Sequence, residues 1–532
     1  METNLPEGKV KRLVKPRKKG VTRIIFSRFF IIVMLIFLQA YLVLQLVDAF
    51  PHIIPHYTFF QTFFTVGMVI YLFNSSMDSS AKLTWLVIIA VAPVPGALFL
   101  AFTQLEIGHR ALKRRLSDII RESRGQLGQE DAVLRELAGD GSGTDDLWRY
   151  INRTGDFPVS AAEGLTYYDD VAEAFPLLLE RMENAKKFIY LEFFIVDEGY
   201  MWGRVLDVLE RKVKEGVDVR LLYDGMCDLQ NLPIDYPKRV QALGIKCKKF
   251  SPVRPFISTY YNYRDHRKNL VIDGEYAYTG GFNFADEYIN HIRRFGHWKD
   301  NVLAIQGEAV RTFTMIFLQM WSVDEPVLDF SPCHVPVRPA GIPAPETGAE
   351  NGYILPFADS PLDGEKVGEN VYMDILNRAT EYVYIMTPYL ILDDEMKNAL
   401  CFAAKRGVDV SIILPGIPDK KVAYSLAKSH YKYLLEQGVK IYEYTPGFVH
   451  AKVFVCDDEK AVVGTINLDY RSLYHHFECA CYLYKVPAIV SILGDFIETR
   501  KKCREVTFET IKHEKLYYKV MGHIMKFFAP LM

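Results

Sequence analysis

The chain carries one phrase twice. DHRKNLVIDGEYAYTGGFNFADEY at 265–288 returns as VHAKVFVCDDEKAVVGTINLDYRS at 449–472. His450, Lys452, Asp457, Gly464 and Asn467 each stand 184 positions after His266, Lys268, Asp273, Gly280 and Asn283. The repeat reaches further than the motif. AKKFIYLEFFIV (185–196) parallels ATEYVYIMTPYL (379–390), KEGVDVRLLYDG (214–225) parallels KRGVDVSIILPG (405–416), and Gly244-Ile245-Lys246 matches Gly438-Val439-Lys440. Each copy therefore reads strand, helix, strand, helix, strand, then a His-Lys strand ending in a hairpin signal. Apolar strands alternating with amphipathic helices predict a duplicated α/β/α unit with pseudo-twofold symmetry and a mostly parallel central sheet in each half. The first half holds an aromatic insertion, SPVRPFISTYYNYRD (251–265), expected to form a loop at the mouth of the site.

Within each copy, His and Lys are two residues apart, so on a strand both leave the same face. An imidazole beside an ammonium suits holding and attacking an anion. Asp273 lies too far along to join that face and is expected to brace the turn. Gly280-Gly281 lets backbone approach a ligand closely, and Asn283 supplies amide donors.

The paired His-x-Lys-x4-Asp motifs resemble those of the phospholipase D superfamily. The fuller phrases, DHRKNLVIDG, TGGFNFADEY, VHAK and VGTINLDYRS, are similar to bacterial cardiolipin synthases in particular. Two positions depart from that pattern: Asp458 stands where the first copy has Gly274, and His476 where an Asn is more usual. The resemblance implies catalysis by His266, Lys268 and Asp273 with His450, Lys452 and Asp457, His266 as nucleophile and His450 as acid and base. Asn283, Asn467, Gly281 and Thr465 are the expected phosphate-binding groups. The implied reaction condenses two phosphatidylglycerols into cardiolipin and glycerol. A hydrolase, a transferase to another alcohol, a nuclease of the superfamily and a non-catalytic membrane scaffold are the alternatives.

The residues themselves explain why two copies are needed. One imidazole attacks phosphorus while the other, protonated, serves the leaving alcohol; lysines and asparagines meet the phosphoryl charge. This chemistry needs no metal or other cofactor. Each histidine also needs an acceptor for its second ring nitrogen. Aligning HWKDNV (297–302) with HHFECA (475–480) sets Asp300 opposite Glu478, each the candidate partner of its own half's histidine, Asp300 for His266 and Glu478 for His450. His291, His297, His430, His475 and His476 are expected to be structural, and the adjacent pair His475-His476 is a poor zinc arrangement because neighbouring strand residues face opposite ways.

At 532 residues, the chain has room for more than the two halves at 151–330 and 353–532, which a Pro-rich stretch, 331–352, separates. A net charge of −2 gives no global basic field for nucleic acid. The eight cysteines show no metal-ligand spacing and are expected to be reduced thiols facing the cytosol. The hydrophobic excess is N-terminal. After a basic tail (1–28), the region 29–105 holds apolar runs at about 29–47, 57–73 and 83–102, near the length that spans a bilayer. These predict transmembrane helices and a multi-pass placement in the cell membrane; the resemblance implies that the two halves lie in the cytosol and that phosphatidylglycerol is the lipid partner. The segment 106–150 is expected to be a basic juxtamembrane helix, its apolar residues Leu112, Leu116, Ile119 and Ile120 at helical spacing, followed by a flexible linker at 139–146. Residues 517–531 carry apolar residues at helical spacing, suited to domain packing or membrane contact.

Overall fold

The computed structural model describes residues 10–14, 57–75, 77–104, 110–230, 232–252, 263–337 and 351–531, with a few isolated positions from 34 to 45. Most of the aromatic insertion and of the Pro-rich stretch, and most of the run at 29–47, lie outside the described residues.

Two mixed sheets form the body. In the first half the strand order is Gly164–Tyr168, Val302–Gln306, Tyr276–Gly280, Lys268–Ile272, Phe188–Phe193, Asp218–Asp224, Lys246–Phe250. The second half repeats it as Tyr353–Asp359, His476–Tyr484, Lys460–Gly464, Val453–Cys456, Tyr382–Met386, Asp409–Pro415, Lys440–Tyr444. Ser160–Ala161 and Cys503–Glu505 extend the edges of that second sheet. Phe188–Phe193 and Val453–Cys456 are buried at every position, as strands covered on both faces must be.

The expected mostly parallel sheet is corrected to a mixed one. Only the last three strands of each order are mutually parallel. The others alternate in direction because the His-Lys strand returns through a tight hairpin, which joins only antiparallel neighbours. At its tip, Glu275 N–H donates to Ile272 O and Glu459 N–H to Cys456 O. The central residues Asp273, Gly274, Asp457 and Asp458 all have positive φ, the requirement of a primed turn. Asp458 accepts the left-handed backbone that Gly274 takes freely, at a cost of about 1–2 kcal/mol, and its carboxylate gains a hydrogen bond from Tyr382 Oη at 2.8 Å.

Helix Ala309–Trp321 lies between the halves. All its residues except Arg311 are buried, which marks a helix with no solvent face. Its apolar residues join the large core that also contains Tyr190 and Val271 from the first sheet and Leu355 and Phe357 from the second. A separate core built around Trp202, Leu206 and Tyr236 fills the outer face of the first sheet.

The N-terminal expectation is overturned. Among the described residues no helix is long and apolar enough to cross a membrane. The run at 83–102 is split by Pro93 into Ser79–Val91 and Pro93–Gln104, helices of 13 and 12 residues. At about 1.5 Å per residue, neither reaches the roughly 30 Å of a hydrocarbon core. The split follows from Pro93, which has no N–H to continue the ladder. These helices and Tyr57–Asn74 close on a small core of Leu72, Trp85, Ile89 and Leu100. The basic helix Arg110–Ser123 turns its stripe of Leu112, Leu116 and Ile119 into the main core, and Arg115 donates to the carbonyls of Ser322 and Glu325. Residues 140–143 are a short connection between helices Asp131–Gly139 and Thr144–Gly155, tied down by Tyr484 Oη donating to Asp140.

Candidate active site

The two halves exchange backbone before they exchange side chains. Arg264–Asp265, leading into His266, pairs in parallel with His476–Phe477 of the other half. Gly447–Val449, leading into His450, pairs in parallel with His297–Lys299. The registers are equivalent: Arg264 lies opposite His476, and Phe448 opposite Trp298. His266 N–H then donates to Phe477 O at 2.9 Å, and His450 N–H to Lys299 O at 2.7 Å. Each histidine is thus docked on the strand that carries the other half's carboxylate.

The side chains follow. His266 Nδ1 is 2.8 Å from Glu478 Oε1, and His450 Nδ1 is 2.7 Å from Asp300 Oδ2. The expected pairing within each half is therefore wrong: the partners are crossed. The exchanged strands present the opposite carboxylate one residue beyond a main-chain hydrogen bond, since Glu478 follows Phe477 and Asp300 follows Lys299. With Nδ1 engaged, Nε2 is the nitrogen each ring has left for substrate.

All four of these side chains are buried, as are Lys268 and Lys452. The ammonium of Lys268 donates to His266 O and that of Lys452 to His450 O. Burial pushes Lys268 down to about 8 and Lys452 down to about 7. Burial, aided by Lys452, lowers His450 to about 4, and burial with Lys268 holds His266 well below the imidazole range. Burial alone would raise both carboxyls, but the facing imidazoles keep Asp300 and Glu478 below the usual carboxylate range. The result is a pair of neutral imidazoles, each held by a charged carboxylate, beside two ammoniums made easier to deprotonate.

Asp273 and Asp457 do not reach the site. Asp273 accepts from the N–H groups of Lys186, Lys187 and Phe188, and Asp457 from those of Thr380, Glu381 and Tyr382. They pin the hairpin tips to the starts of the neighbouring strands, which fixes how far the His-Lys strands slide. Gly281 and Thr465, expected to bind phosphate, are committed elsewhere. The Gly281 N–H donates to Asn301 Oδ1 at 3.1 Å, and a Cβ there would sit 1.9 Å from Asp300 Oδ1. Thr465 Oγ1 donates to Glu478 Oε2 and accepts from the Cys479 N–H. Both positions serve the crossing carboxylate, one by making room and one by holding it. Asn283 is fixed at both ends of its amide, accepting from Ile195 N–H at 2.9 Å and donating to Tyr288 Oη at 2.8 Å. Asn467 is buried, and its Oδ1 has no hydrogen-bond partner among the described residues.

Three supporting residues escaped the sequence reading. Trp298 Nε1 donates to Asp300 Oδ2 at 3.3 Å, on the oxygen that His450 uses. Tyr288 packs edge-on to His450 while holding Asn283. Arg267, next to the nucleophile candidate, donates from Nε to Glu478 O at 3.1 Å and from a terminal nitrogen to Asp359 O at 3.4 Å, stitching the halves together. The alignment of HWKDNV with HHFECA already set Trp298 opposite His476. The other two give no sign in a single sequence.

Comparisons with known proteins match both halves of the chain. The family described as "Cardiolipin synthase, PLD-like domain" matches residues 178–321 and 372–499, one stretch in each half. An uncharacterized protein of Streptococcus mutans is 52% identical over 88% of this chain and 100% of its own. A cardiolipin synthase of Halalkalibacterium halodurans is 32% identical over 88% of this chain and 92% of its own. In fold, the chain is similar to the crystal structure of a phosphatidylserine synthase from Haemophilus influenzae, with a TM-score of 0.55 and 17% identity, covering 73% of this chain and 97% of that one. The matched halves, the full-length relatives and the two-histidine centre together show that this chain belongs to the cardiolipin synthase family of phospholipase D-like enzymes.

Proposed function

We propose that the protein condenses two phosphatidylglycerol molecules into cardiolipin and glycerol through a phosphohistidine. The observation that carries this reading is the crossed pair of buried imidazole–carboxylate contacts, close enough together that Lys268 acts on His450, Asp300 on Lys268 and Glu478 on Lys452. His266 Nε2 attacks the phosphorus of the first lipid; an N–P bond forms and the P–O bond to glycerol breaks. His450 gives its Nε2 proton to the departing glycerol oxygen. The free ring is neutral, held down to about 4 by burial and the neighbouring ammonium. The phosphodiester anion offsets both effects and draws a proton onto it. In the second stage His450 takes the proton of the second lipid's terminal hydroxyl, whose oxygen attacks phosphorus as the N–P bond breaks. His266 is regenerated and the second phosphodiester is complete. Lys268 and Lys452 neutralise the phosphoryl oxygens throughout, and Asn467, with its uncommitted amide oxygen, is the better placed of the two asparagines to turn toward substrate.

The test is incubation of purified protein with phosphatidylglycerol alone, resolving lipids and free glycerol. Cardiolipin and glycerol in equal amounts are expected. Phosphatidic acid as the main product would replace the transferase by a hydrolase. The same turnover is expected in excess EDTA, and loss of activity restored only by one divalent ion would contradict the mechanism.

A further inference from the structure

His476 is the part of this centre that the proposed reaction leaves unused. It is 8% exposed, and neither ring nitrogen has a hydrogen-bond partner among the described residues. An imidazole buried in that way forfeits about 1–3 kcal/mol of hydrogen bonding, so something is expected to satisfy it. Its Nδ1 stands 3.6 Å from Glu478 Oε1, beyond hydrogen-bond reach, and its ring centre lies 5.2 Å from that of His266. Phe194 closes the side of both rings, 4.9 Å from His266 and 6.3 Å from His476. One ligand atom from each of His266, His476 and Glu478 falls within 4.8 Å of the others.

We propose that His266, His476 and Glu478 form a binding site for a divalent transition-metal ion of the Zn2+ class, and that its occupancy silences the enzyme. Two imidazoles and one carboxylate suit Zn2+ or Co2+, whose bonds of about 2.0–2.2 Å fit donors spaced in this way. Mg2+ and Ca2+ prefer oxygen and do not match. Only one half can hold the ion. The register that puts His476 opposite Arg264 puts Trp298 in the equivalent place in the other half, opposite Phe448. An indole N–H donates to its carboxylate, as Trp298 does to Asp300, but is not a metal ligand. The site is therefore expected once per chain.

Silencing rests on the proposed role of His266, and it follows for either mode of coordination. An ion on Nε2 occupies the nucleophilic lone pair directly. An ion on Nδ1 displaces the proton there, and the neutral ring then carries its proton on Nε2. In both cases no lone pair is left to attack phosphorus. The ion acts here as an inhibitor, so it requires nothing of the metal-free reaction.

Binding is tested apart from turnover. Metal-free full-length protein is titrated with ZnCl2 by calorimetry, with CoCl2 as the spectroscopic probe. One saturable site per chain is expected, with the intense visible bands of four- or five-coordinate Co2+. His476→Asn is expected to weaken binding at least 100-fold while the thermal melt shows a folded protein. Zinc-edge absorption of the unaltered protein supplies an arm that needs no variant: two imidazoles and carboxylate oxygen are expected. No saturable site, unchanged binding by folded His476→Asn, or sulfur ligation from the free cysteines would overturn the proposal. In the activity arm, Zn2+ is expected to suppress turnover and EDTA to restore it. A protein that binds the ion as described yet keeps its turnover would remove the silencing claim alone.

Discussion

At the scale of single residues, the centre depends on how two carboxylates are delivered rather than on how many charges are present. Gly281→Ala tests this without touching a charged group. Its Cβ would meet Asp300 Oδ1 at 1.9 Å and His450 O at 2.8 Å. Displacing the carboxylate by the better part of an ångström is expected to lower kcat by about 100-fold, with about 1–3 kcal/mol lost from stability; stopped-time assays and a thermal melt read the two separately. The lysines predict a pH dependence. Lys452 is charged below about 7 and neutral above it, because burial favours the uncharged amine. kcat/KM should therefore fall as pH rises through about 7, while the bound anion restores the proton and moves the corresponding limb of kcat upward. Lys452→Arg keeps its charge over that range, so its kcat/KM profile should lose this limb even if its maximum is lower. The histidines and lysines were legible because a fixed spacing exposes them. The crossed partners were not: a repeat shows which residues are equivalent, and Asp300 and Glu478 are equivalent whether each serves its own half or the other.

At the scale of elements, two short parallel strand pairs carry the coupling between halves. Gly447 is the tightest point, since a Cβ there would lie 2.1 Å from His297 O and 2.5 Å from His297 N. Gly447→Ala should part Gly447–Val449 from His297–Lys299 and tilt His450 away from Asp300. At least a tenfold fall in kcat with a smaller change in KM is expected, and an unchanged kcat would mean that this pairing does not position the histidine. The strands and their order of appearance could be read from apolar runs, the turn signal at 273–274 and the repeat that carries it to the second half. Their directions could not, because βαβ alternation early in each half suggested a parallel sheet and the hairpin that reverses it lies only in the second part. The N-terminal runs show the limit of counting apolar residues. Hydropathy over 83–102 is high, but Pro93 divides the helix, and length within one helix decides whether a bilayer can be crossed.

At the scale of the whole molecule, the duplication builds one centre from two incomplete ones. Both histidines, both lysines and both carboxylates come from a single chain, with the helix Ala309–Trp321 fixing the halves against each other. Mixing His266→Ala with His450→Ala protein should therefore restore no activity, and recovery would show that the centre is shared between chains. The pseudo-twofold plan was legible from the constant offset of 184 residues. The alignment of HWKDNV with HHFECA set His476 opposite Trp298, but only the fold shows that these two take equivalent places beside the crossed carboxylates. The division of labour between His266 and His450 is the claim on which the account rests. A phosphatidyl ester of p-nitrophenol tests it most directly, because p-nitrophenolate leaves without a proton donor. In rapid mixing, His450→Ala should release one equivalent of p-nitrophenolate per chain in a burst and then stall, since its phosphohistidine has no base to activate the incoming alcohol. His266→Ala should release none. A burst from His266→Ala and none from His450→Ala would reverse the roles, and no burst from either would contradict the covalent mechanism.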